Sequence, residues 1–168
     1  MDITAATKKE ECARLWKEVF GDSDEFISSF MEYFYVEDNM LYITENGKIS
    51  SMLHIIPFEH NGSKVAYMYA VATECHARGK GYAKKLIRQA IEKAKSEGYK
   101  AIFTLPADAG LSEFYSQFGF KGKCPVEFET LHDFDFGTGE KEKDLAMILP
   151  LDSNCIIQDT ESIYVKKI

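Results

Sequence analysis

Two Asn-Gly pairs, Asn46-Gly47 and Asn61-Gly62, punctuate a run of apolar segments and restrict the middle of this chain to one arrangement. Both residues of a two-residue hairpin turn need positive φ angles, which Asn and Gly adopt most readily. The segments 40–44, "MLYIT", 49–59, "ISSMLHIIPFE", and 64–73, "KVAYMYAVAT", therefore read as three strands of an antiparallel meander. A chain of 168 residues with 45% hydrophobic content is sized for one soluble globular domain spanning residues 1–168.

Helices flank this meander. Thr7 and Glu10 form a T-x-x-E capping box, and Cys12, Leu15, Trp16, Val19 and Phe20 follow at helical spacing. A second helix after "GDSD" carries Phe26, Ile27, Phe30, Met31 and Phe34 on one face, and its aromatic content makes it a candidate homodimer surface. Beyond the meander, Ala83, Leu86, Ile87, Ala90, Ile91 and Ala94 mark a helix buried on one side, stopped by Gly98. "KAIFTL" then reads as a strand, and a strand, helix, strand crossover pairs its two strands in parallel. A short helix over 108–118, with Leu111, Phe114, Tyr115 and Phe118 near one side, precedes strands at 120–130 and 145–151. Residues 132–144 read as a loop, and the last residues carry no clear pattern. The fold class is α/β in the α+β sense: a mixed, mostly antiparallel central sheet flanked by helices.

A net charge of −7 argues against nucleic acid, whose binders cluster Lys and Arg against phosphates. No apolar stretch nears the roughly 20 residues of a membrane span, and the first residues lack the pattern of a secretory signal. The expectation is a cytoplasmic protein. Cys12, Cys75, Cys124 and Cys155 lie far apart without a C-x-x-C pair, so neither a metal site nor a redox motif is expected.

Against this acidic background, "HARGKGYAKKLI", 76–87, concentrates positive charge at a helix start. Arg78, Lys80, Lys84, Lys85 and Arg88 sit where the dipole is already positive, at a cost of about 0.3–1 kcal/mol each unless an anion is bound. Gly79 and Gly81 let the backbone turn tightly and bring main-chain N–H groups up to a ligand without a Cβ in the way. Free amides, dipole and cations converge as they do in a phosphate cradle. Neither the G-x-x-x-x-G-K-[ST] nucleotide loop nor the G-x-G-x-x-G dinucleotide turn fits, because Lys84 stands where the third glycine would be.

"RGKGYA", Arg78 to Ala83, resembles the R-x-x-G-x-A pyrophosphate signature of the GNAT superfamily of N-acetyltransferases. "FYSQFGF", 114–120, is similar to the family's F-Y-x-x-x-G-F signature, and the element order over roughly residues 1–130 also matches. The resemblance implies acetyl-CoA (CoA) as cofactor and a primary amine, on a small molecule or a peptide, as acceptor. It implies that Arg78, Gly79, Lys80, Gly81, Tyr82 and Ala83 hold the pyrophosphate through their N–H groups, with Lys84 or Arg88 near the outlying phosphate. It places Val71, Ala72 and Thr73 along the pantetheine arm and Tyr115 as proton donor to the departing thiolate. Many members carry Asn seven residues before that tyrosine; here Asp108 stands there, and it either contacts the cofactor or caps the short helix. The general base stays open among Glu74, His54, Tyr69 and a water chain, Glu74 being expected solvated at the turn and a lone histidine inside "MLHIIP", His54, being more often a hydrogen-bonded core residue. The chain also fits a non-catalytic acyl-CoA-binding module acting through a protein partner.

Overall fold

The computed structural model describes residues 4–129, 132, 134–137, 145–152 and 163–168. In chain order the main elements are α1 (Ala5–Phe20), α2 (Asp24–Tyr33), β1 (Met40–Glu45), β2 (Lys48–His60), β3 (Ser63–Thr73), α3 (Tyr82–Ser96), β4 (Ala101–Thr104), α4 (Ala109–Ser116), β5 (Lys121–Phe128), β6 (Leu145–Pro150) and β7 (Ile163–Lys167). The strands form a seven-stranded sheet in the order β1-β2-β3-β4-β6-β5-β7, with a further β2–β7 pairing. The β3–β4 and β5–β7 pairs are parallel, while β1–β2, β4–β6, β5–β6 and β2–β7 are antiparallel, which makes the mixed sheet read from the sequence. Both Asn-Gly pairs sit at positive φ: Asn46 at 52° and Gly47 at 77°, Asn61 at 50° and Gly62 at 78°. Residue register Glu45↔Lys48 closes the first hairpin directly over its two turn residues.

Two compact units organise the chain, one from Met1–Ile55 and Tyr69–Ala90, the other from Ile56–Met68 and Ile91–Ile168. In the first, Trp16 is 1% exposed and its ring lies 4.8 Å from Phe30 and 5.5 Å from Tyr69. The indole N–H donates to Asp22 Oδ2 at 2.8 Å, so the one polar atom of this large side chain is satisfied. Phe30 and Phe34 are buried too, so the aromatic stripe of α2 serves this chain's own core. The start of α1 differs from the capping box expected at Thr7: Thr4 is the N-cap and its Oγ1 accepts from Thr7 N. Ala5 and Ala6, strong helix formers, carry the helix one turn further toward the N-terminus, where Thr4 supplies the hydroxyl. Phe20, placed in the apolar stripe by its spacing, is 44% exposed at the last residue of that helix.

In the second unit Tyr67 and Phe103, on neighbouring strands, stack at 4.8 Å with planes 2° apart, and Phe58 and Phe128 join them. Leu111 is 37% exposed, so the buried side of α4 is carried by Tyr115, with Phe120 just beyond. Residues 163–167, unassigned from the sequence, form β7, which pairs parallel with β5 and antiparallel with β2. Much of the expected loop at 132–144, and Cys155, lie outside the described residues. Among the described residues Cys12 and Cys75 are free thiols, no group of three or more His, Cys, Asp or Glu could hold a metal ion, and no helix is long and apolar enough to cross a membrane.

Candidate functional site

The glycine turn lies in the first unit. Gly79 has φ 84° and Gly81 φ 79°, the left-handed region that only glycine enters at little cost. A Cβ at either position would meet nothing within 4 Å, so the space in front of the turn is open. Arg78 N–H bonds Cys75 O at 3.4 Å, whereas the N–H groups of Gly79, Lys80, Gly81, Tyr82 and Ala83 take no partner among the described residues. Five consecutive free donors therefore stand at the N-terminus of α3, whose exposed face carries Lys84, Lys85 and Arg88. Unpaired amides, positive dipole end and nearby cations form an anion seat.

The side chains of the turn are held elsewhere. Arg78 Nε donates to Thr73 O at 3.3 Å, and Lys80 Nζ donates to Glu45 Oε1 at 2.8 Å. The Tyr82 hydroxyl donates to that same oxygen, and Lys80 Nζ lies 5.9 Å from the Tyr82 ring centre. Lys80 and Tyr82 consequently offer the turn their main-chain donors, with their polar tips engaged by Glu45. Those two partners keep the Glu45 carboxyl below the usual carboxylate range.

Glu74 was expected solvated and is instead 5% exposed. Its Oε1 meets Arg14 Nη2 at 2.8 Å and its Oε2 meets His76 Nε2 at 3.1 Å. With a guanidinium on one oxygen and an imidazole on the other, both in ion-pair range, Glu74 is held in place between Arg14 and His76. Arg14 also binds Glu11 through Nε at 2.8 Å and Glu18 through Nη1 at 2.9 Å within α1, and Ile49 O of β2 through Nη2 at 2.9 Å, so that its contact with Glu74 ties α1 to the segment that leads into the turn.

His54 takes the core position that its setting in "MLHIIP" left open. It is 2% exposed, with Cys12 Sγ 3.4 Å from Nε2 and the Phe30 and Trp16 ring centres 5.0 Å and 5.7 Å away. Burial pulls its pKa down to about 3, and Nδ1 has no partner among the described residues. Enclosed by aromatic rings, it is corrected from candidate base to core residue. Cys12 beside it is pushed up to about 12 by burial and is an unreactive thiol.

Along β3 the expected regular strand contains Ala70 at φ 53°, an uncommon conformation for a residue with a Cβ. The β3–β4 register runs from Val65↔Ala101 to Tyr67↔Phe103, and the Thr104 hydroxyl donates to Met68 O at 3.1 Å. Residues 69–73 continue past the end of that ladder. Within 71–73, Ala72 O accepts from the Ser51 hydroxyl at 3.2 Å and Thr73 O accepts from Arg78, so part of this main chain is already engaged.

The second unit holds Tyr115 and Asp108. Tyr115 is 5% exposed, and burial pushes its phenol up to about 12, with Thr104 pulling weakly the other way. Asp108 is the N-cap of α4: its Oδ1 accepts from Leu111 N at 2.8 Å. Of the two roles left open for it, capping is the one its carboxylate performs here. The C-terminal Ile168 is 60% exposed, with its N–H on Pro57 O at 3.4 Å. Glu45 and Arg14 were not legible as site residues, because Glu45 meets Lys80 and Tyr82, and Arg14 meets Glu74, across a long sequence separation with no local motif to mark it.

A family model described as an acetyltransferase (GNAT) domain matches residues 2–122. No curated protein matches the chain. Among solved structures it is similar to a GNAT family N-acetyltransferase, YhbS, from Escherichia coli in complex with CoA, at 17% identity and a TM-score of 0.68, covering 99% of this chain and 87% of that one. A GNAT family acetyltransferase from Brucella melitensis in complex with acetyl-CoA gives 16% identity and a TM-score of 0.62, covering 95% and 91%. A GCN5-related N-acetyltransferase from Kribbella flavida gives 21% identity and a TM-score of 0.57 over 73% of this chain, which spans 34% of that longer protein. At these identities the likeness is one of fold, a mixed sheet flanked by helices.

Proposed function

The chain belongs to the GNAT acetyltransferase family, and on that premise we propose that it transfers an acetyl group from acetyl-CoA to a primary amine of a small-molecule or peptide acceptor. The observation that carries the reading is the row of five unpaired amides, Gly79 to Ala83, at the start of α3. A diphosphate has the charge and the acceptor oxygens to satisfy them together, and the open space in front of Gly79 and Gly81 admits it. Lys84 and Arg88, one helical turn apart at the start of α3, are suited to the outlying phosphate.

Acetyl-CoA supplies the acyl group already activated as a thioester. The residues have three tasks: to fix the anionic end, to donate toward the carbonyl oxygen as it gains charge, and to donate toward the sulfur as it leaves. The turn serves the first task and main-chain N–H groups of Val71 or Ala72 the second. Tyr115 serves the third. A phenol at about 12 is a weaker acid than an unperturbed thiol near 8.5, so Tyr115 stabilises the developing thiolate as a hydrogen-bond donor and keeps its proton through most of the step. With Glu74 held by Arg14 and His76 and His54 buried in the core, Tyr69 or a water chain is left to take the proton of the acceptor amine.

Calorimetric titration of acetyl-CoA into the wild-type protein and Gly81→Asp tests the seat. A left-handed residue with a carboxylate facing the anion is expected to weaken binding more than tenfold; equal affinity in both proteins would remove the cradle from the reading. The ion pairs of Glu74 and the burial of His54 favour a second reading, a domain that binds acyl-CoA and reports it to a protein partner without catalysis. Tight CoA binding together with no acetylated product across a broad amine screen would select it.

A further inference from the structure

We propose that Glu45 is a positioning residue for the anion-binding turn, an inference that rests on the reading of that turn given above. Two left-handed glycines make this stretch adaptable, and an adaptable loop must be ordered before its amides can converge on one ligand. Glu45 supplies that order. It ends β1, where pairing with Lys48 across the Asn46-Gly47 turn fixes its backbone. From there its Oε1 takes the Lys80 ammonium at 2.8 Å and the Tyr82 hydroxyl together, gripping the residues on either side of Gly81. Its Oε2 faces His76 Nε2 at 3.8 Å, and His76 reaches Glu74, which reaches Arg14 on α1. One continuous series of polar contacts thus joins the turn to β1 and α1 of the first unit. Four of the residues in it, Glu45, His76, Lys80 and Tyr82, have no other side-chain hydrogen bond or ion pair among the described residues.

Sign is what separates this role from simple electrostatics. A carboxylate beside an anion seat repels the ligand and occupies a lysine that would otherwise attract it, so on Coulomb's law alone its removal tightens CoA binding. If Glu45 acts by ordering the turn, its removal loosens binding despite the more favourable charge.

The test is calorimetric titration of CoA into the full chain and into Glu45→Ala, Glu45→Gln, Tyr82→Phe and the Glu45→Ala/Tyr82→Phe double variant, with thermal unfolding of each. Wild-type binding is expected, with Glu45→Ala weaker by about tenfold, as loss of preorganisation predicts. Glu45→Gln, which keeps an acceptor oxygen, should recover part of that loss. In the Tyr82→Phe background the effect of Glu45→Ala should shrink, because the two act through one contact. Unchanged or tighter CoA binding by Glu45→Ala and Glu45→Gln overturns the proposal, as does a melting temperature that falls while the dissociation constant well below melting stays the same. Should Glu45→Ala fail to fold, Glu45→Gln and Tyr82→Phe decide on the same criteria. Failure of the wild-type protein to bind CoA overturns the functional reading itself, and this inference with it.

Discussion

Tyr115 shows how burial selects one role from the several open to a side chain. Held at about 12, its phenol stays protonated across the whole neutral and mildly alkaline range, so it serves as a donor and never as a base there. Tyr115→Phe keeps the ring packed against Phe120, 5.9 Å away, and removes only the hydroxyl. Steady-state kinetics with an acceptor from the amine screen should show kcat falling about a hundredfold, with KM for acetyl-CoA little changed. A wild-type rate would exclude the donor role. Ala70 makes the complementary point about the backbone: nothing in its side chain announces the left-handed conformation it adopts, φ 53°.

At the scale of elements, α4 depends on a single cap. Its eight residues are too few to be stable alone, and Asp108 satisfies one of the free N–H groups at its start. Asp108→Ala should lower the free energy of unfolding by about 1 kcal/mol, while Asp108→Asn, an equally good cap, should leave it nearly unchanged. Urea denaturation of both variants checks this, and equal losses would show that charge rather than capping matters. The hairpins and α3 were legible because their signals are local: Asn-Gly at each turn, and an apolar repeat closed by Gly98 at φ 80°. The first turn of α1 was misread by three residues because Thr4 and Thr7 can both cap, and the alanines between them decide which does.

For the whole molecule, pH stability follows from what the core encloses. His54 stays neutral in the folded chain to about pH 3, whereas unfolded it takes a proton near 6.5. Its contribution is therefore complete above about pH 6.5 and is lost as pH falls from there toward 3, at up to ~1.4 kcal/mol per pH unit. Unfolding free energies from urea curves between pH 7 and 4.5 should fall steeply for wild type and less for His54→Gln; parallel profiles would assign the acid limb to another group. At the alkaline end Tyr35, Tyr99 and Tyr115 are each raised to about 12 by burial, so stability is complete below about pH 10 and declines between 10 and 12. Local order and chemistry close to it, the meander, the crossover, the glycine turn and its free amides, were set by the chain's own sequence, because turn angles and helical spacing act over a few residues. Long-range folding alone decided that Glu74 is anchored between Arg14 and His76, that His54 lies among aromatic rings, and that Glu45 grips Lys80 and Tyr82. Ion pairs and burial depend on which distant segments meet, and no short stretch of residues encodes that meeting.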